Sequence, residues 1–61
     1  MDNDAKKLAI IIVSKRNVDK LFISAQSEPD LLKQAQLFRD IGSELERCHT
    51  QLDKEGLLDD S

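Results

Sequence analysis

Cys48 and His49 are the only thiol and the only imidazole in this 61-residue chain, and they are neighbours. The pair invites a thiolate–imidazole reading. Consecutive residues on a helix diverge by about 100°, so the two side chains do not face each other. Cys48 then reads as a small core residue and His49 as the edge of an apolar seam. One cysteine and one histidine do not make a metal-ligand set either. The carboxylates Glu44, Glu46, Asp53, Asp59 and Asp60 fall mostly off the apolar positions and read as a solvated helix face. With Gly42 and Gly56 as the only glycines, there is no phosphate-cradling loop. The chain has no Trp or Tyr, and Phe22 and Phe38 are better used as core than as stacking platforms. The expectation is a protein without catalytic residues, cofactor or metal, and not an enzyme.

Charge gives the next constraint. The net charge is −3, and its sign is uneven along the chain. Residues 1–26 hold five basic against three acidic side chains, and residues 27–61 hold four against nine. Opposite signs favour packing the halves together, within or between chains. Lys15, Arg16 and Lys20 form a candidate nucleic-acid contact with Lys6 and Lys7 nearby. Edge-strand lysines that block aggregation explain the same residues, and a mildly acidic chain is an unpromising nucleic-acid binder.

These side chains must be positioned by two elements that meet at Ser27-Glu28-Pro29-Asp30. Before the junction, residues 8–13 form a continuous apolar run with four β-branched residues in a row. Such a run favours a buried strand. Residues 18–25 read as a second strand, with Arg16-Asn17 as the turn. Antiparallel pairing then sets Ile12 opposite Leu21, Ile10 opposite Ile23 and Leu8 opposite Ala25, a register that separates two faces. The expected fold is α+β: a β-hairpin over residues 8–25 followed by one long helix, ββα, as an intertwined homodimer. The alternative makes residues 4–26 one helix. Its stripe would be Leu8, Ile11, Val18, Phe22 and Ala25, with Lys15 intruding.

After the junction the pattern is helical. Ser27 is the expected N-cap, with Asp30 as the acidic member of a capping box and Pro29 in the first turn. Leu31, Phe38, Leu45 and Leu52 recur every seven residues, and Ile41 and Cys48 occupy interleaved positions. Gly42-Ser43 is a candidate kink, and Gly56 a candidate stop. The helix is expected over residues 28–55, inside a single small domain of residues 1–61. Residues 1–6 are expected to fray, and residues 57–61 to form a loose tail.

A helix of that length runs about 40 Å, twice the span of a six-residue strand. The uncovered seam asks for another chain. The expected interface is Ile11, Val13, Phe22, Phe38, Ile41, Leu45, Cys48 and Leu52, serving a homodimer and a further protein partner. Residues 8–13 are too short to span a membrane and lead to no signal-cleavage pattern, so the expected compartment is the cytoplasm. In the all-helical alternative, two helical hairpins make a four-helix bundle. In that layout, and through Ser43-Glu44-Leu45-Glu46-Arg47-Cys48, the chain resembles the small plasmid-encoded Rop-type RNA-binding dimers. The resemblance covers six residues and carries over no binding residue. The expected function is a small non-enzymatic module acting by stoichiometric association: an accessory regulator, an inhibitor or antirepressor-type protein, or an assembly chaperone. The alternative is a dimeric nucleic-acid-binding regulator that uses the basic N-terminal half.

Overall fold

Both halves of the chain are helical in the computed structural model, which describes residues 2–58. Helix α1 runs Asp2–Ser27 and helix α2 runs Leu31–Lys54. They lie antiparallel as one hairpin, 45 Å long and 15 Å across in each other direction.

The expected β-hairpin over residues 8–25 is therefore wrong, and with it the ββα class. Three physical reasons account for this. β-Branched residues lower helix propensity by only a few tenths of a kcal/mol each, which packing against a long neighbour overrides. The proposed Arg16-Asn17 turn lacks the glycine that a tight hairpin favours. A lone two-stranded ribbon is marginal in water. The helical alternative has the right element but the wrong stripe. α1 turns Ile10, Ser14, Asn17, Leu21 and Ala25 toward α2, and leaves Leu8, Ile11 and Phe22 exposed. Residues 2–6, expected to fray, form the first turn of α1.

The bend falls later than expected, over residues 28–30. Asp30, not Ser27, caps α2: its backbone is extended (φ −88°, ψ 120°), and its carboxylate accepts from the Leu32 N–H at 2.9 Å. Asp30 wins because the Pro29-Asp30 step sits directly before the apolar repeat. Ser27 instead ends α1, its hydroxyl donating to the Ile23 carbonyl at 3.1 Å. The Glu28 carboxylate accepts from the Asp30 N–H at 3.1 Å. Gln34 reaches back across the bend and donates to the Ala25 carbonyl at 2.8 Å. Ala25 is fully buried, and its small side chain lets the helices close here.

α2 continues through Gly42-Ser43 without a break. Its stop is at Gly56, as expected, with φ +71°. The Leu57 N–H donates to the Leu52 carbonyl at 2.8 Å, and the Gly56 N–H to the Asp53 carbonyl at 3.0 Å. This is a Schellman closure, and its hydrophobic pair is Leu52 with Leu57, both buried. Leu57 is thus packed rather than loose, and residues 59–61 of the expected tail lie outside the described residues.

Candidate functional site

The seam between the helices is where the side chains converge. Three cross-helix links fix its register: Lys6 with Glu55 at 2.7 Å, Asn17 with Glu44 at 3.2 Å, and Gln34 with Ala25 at 2.8 Å. In the middle, Glu44 gathers most of the polar chemistry. Arg47 donates to both carboxylate oxygens, at 2.8 and 3.1 Å, and Asn17 donates to Oε2. The hydrogen bond from Arg47 holds the Glu44 carboxyl below its usual range, with Asn17 helping. The Ser14 hydroxyl adds a weaker pull across the seam, short of a formed hydrogen bond. At the open end of the hairpin, Lys6 lowers Glu55 in the same way.

Two grooves flank the seam. Ser14 and Cys48 line both, which places them between the helices. The first groove, about 220 Å³, adds Ala9, Ile10, Val13, Glu44, Arg47 and Gln51. The second, about 210 Å³, adds Ile11, Lys15, Val18 and Leu45. The first groove is apolar except where Glu44, Arg47 and Gln51 edge it, which makes its side the more polar one; the second is lined almost wholly by apolar surface and marks the apolar side. Helical spacing extends the apolar side along both helices. Leu8 lies one turn before Ile11, and Phe22 one turn after Val18. Phe38 and Leu31 precede Leu45 at seven-residue steps. These residues are strongly exposed: Leu45 at 55 %, Phe38 at 50 % and Phe22 at 49 %.

The expected interface residues divide accordingly. Ile11, Phe22, Phe38 and Leu45 share the apolar side. Ile41 and Cys48 are half-buried and Leu52 is buried, in the seam of the hairpin itself. Val13 departs from the set: it lines the polar-side groove. The three basic candidates do not form one patch. Lys15 belongs to the apolar side and pairs with Asp19 at 2.8 Å. Arg16 and Lys20, one helical turn apart, face away from α2 with no ion-pair partner among the described residues. Ile12 and Ile23 share that outward stripe and are exposed.

Sequence reasoning missed Ser14, Asn17, Glu44 and Arg47 as a group. The signal was the spacing Ile10-Ser14-Leu21-Ala25, a helical stripe in which the polar member is small. Leu8 and Leu31 also lie exposed on the apolar side and were not among the expected interface residues. Among the described residues, no three His, Cys, Asp or Glu side chains converge on a common point. Among the described residues, no helix is long and apolar enough to cross a membrane.

No protein-family model, curated protein or solved structure matches the chain.

Proposed function

We propose that the chain is half of a homodimeric, non-enzymatic interaction module that acts by stoichiometric association in the cytoplasm. The observation that carries this is the unpartnered apolar side. The chain exposes 4923 Å², whereas a compact monomer of 6.9 kDa exposes about 4,000 Å². The excess of roughly 900 Å² is close to one partner's share of a standard interface. Its radius of gyration, 14.0 Å, exceeds the about 10.5 Å of a compact domain this long. Two such hairpins laid apolar side to apolar side form a four-helix bundle. The outward stripe of α1, with Ile12 and Ile23, stays exposed in that bundle and is the surface on which a further protein would act.

A second reading rests on Arg16 and Lys20, which lie on that same stripe without acidic partners. Doubled by the dimer, they would contact nucleic acid. The aliphatic neighbours offer no ring on which a base could stack, so the protein partner is the better fit. Sedimentation equilibrium of the purified chain tests the dimer. A stable monomer at micromolar concentration would sink this reading. A gel-shift series in rising salt separates the two partner classes. Tight RNA or DNA binding that weakens with salt, and whose salt slope falls in Arg16→Ala and Lys20→Ala, would favour nucleic acid.

A further inference from the structure

The face of α1 turned away from α2 has an order of its own. Ile12, Arg16, Lys20 and Ile23 follow one another at steps of four, four and three residues, one per helical turn. They make a row about 16 Å long, with two cations in the middle and an aliphatic side chain at each end. All four are exposed, Ile23 at 64 %. Neither Arg16 nor Lys20 has an ion-pair partner among the described residues. Asp19 lies between them in sequence, but Lys15 holds its carboxylate at 2.8 Å. At the Ile12 end, Ala9 and Val13 carry the face sideways into the groove of about 220 Å³ that Ile10 and Cys48 also line. A cavity of about 150 Å³ admits a benzene-sized group, so this groove has room for one bulky apolar side chain.

Each feature limits the occupant. Two unpaired cations call for an anionic partner, since any other would desolvate them without compensation. The exposed Ile12, Val13 and Ile23 call for apolar anchors, which a phosphate backbone does not supply. A row with one residue per turn matches a second helix laid along it, whose side chains repeat at the same rise.

Resting on the stoichiometric-association reading above, we infer that the outward face of α1 docks an acidic amphipathic helix of a partner protein. Two acidic turns of that helix meet Arg16 and Lys20, and its apolar turns meet Ile12 and Ile23. One bulky apolar side chain enters the groove beside Val13. The row reads the same from either end, whereas the groove lies only at the Ile12 end, so the groove sets the partner's direction. The charges steer and align the partner, and the apolar anchors hold it.

Fluorescence anisotropy with synthetic peptides tests this. The probe is a labelled helical peptide with leucine, glutamate, glutamate and leucine at matching steps on an alanine and glutamine background. Its counterpart carries lysine in place of glutamate. The intact chain is expected to bind the acidic peptide at least about tenfold more tightly than the basic one. The double variant Arg16→Glu, Lys20→Glu should reverse that preference, and its gain of the basic peptide shows that it is folded. Ile12→Ser and Ile23→Ser should each weaken the acidic peptide by about tenfold. No preference for the acidic peptide, or one that the double variant keeps, would overturn the docking site. So would an RNA duplex that binds more tightly than the peptide and is indifferent to Ile12→Ser, because the face would then read phosphate. Sedimentation of the same samples separates this from the homodimer. A dimer that ignores the peptide removes the docking site alone, and a monomer that still binds it leaves the docking site standing and removes the dimer.

Discussion

Ser14 and Glu44 show how little separates a polar contact that stabilises from one that costs. Glu44 is satisfied by Arg47 and Asn17, and its carboxyl is held below the ordinary value of 4.5. A carboxyl whose folded pKa is depressed stabilises the fold above its unfolded pKa and loses that contribution as pH falls through the folded one. The hairpin should therefore weaken as pH drops below about 4.5, and Glu44→Gln should flatten that part of the profile. Urea midpoints at several pH values between 3 and 7 check it; an unchanged profile would remove Glu44 from the account. Ser14 is the opposite case. Its side chain is 5 % exposed and its hydroxyl has no hydrogen-bond partner among the described residues. An unpaired buried hydroxyl costs about 1–3 kcal/mol, and alanine is the better helix former. Ser14→Ala should raise stability by about 1 kcal/mol in chemical denaturation. A loss of stability would mean that the hydroxyl finds a partner in the assembled protein.

At the scale of the elements, α2 was legible in the sequence and α1 was not. α2 presents a clear apolar stripe, and its seven-residue repeat from Leu31 to Leu52 survives into the structure. Gly56 was readable because only a residue tolerant of positive φ can close that end. α1 misled for a physical reason. Residues 8–13 are apolar on every side of the helix, so no single stripe stands out. The stripe that meets α2 contains Ser14 and Asn17, which mute its amphipathic signal. The more apolar stripe, Leu8-Ile11-Phe22, stays exposed on the apolar side of the hairpin. Burial in the hairpin thus follows the weaker pattern, and the stronger one stays exposed on the side that the proposed dimer would cover. The start of α2 was placed three residues early because Ser27 is as good an N-cap in type as Asp30. Asp30→Ala should cost about 1 kcal/mol through loss of the Leu32 N–H acceptor, and Ser27→Ala clearly less. Equal losses in thermal unfolding would return the cap to Ser27.

For the whole molecule, the governing fact is how little one hairpin buries. Among the described residues, only Ala25, Leu52 and Leu57 are buried apolar side chains. Each buried leucine is worth about 1.5–3 kcal/mol, far below the ordering cost of more than fifty residues. Three links along the seam add modestly, because the Lys6–Glu55 pair is exposed and such pairs contribute about 0–1 kcal/mol. Folding and association should then be one equilibrium, as in dimers whose protomers are not stable alone. The melting temperature should rise with protein concentration, by several degrees between 1 and 100 μM, when followed by helical circular dichroism. Leu45→Asp places a carboxylate at the centre of the apolar side, where a second chain would desolvate it. It should abolish the dimer and most of the helix signal at 1 μM. The outward Ile23→Ser is the control, since it removes a similarly exposed aliphatic side chain from the other face of α1. If association holds the fold together, the first substitution unfolds the chain and the second leaves its melting curve nearly unchanged. A concentration-independent melting temperature, with Leu45→Asp still helical, would mean that the hairpin stands alone, and the exposed apolar side would then need another explanation.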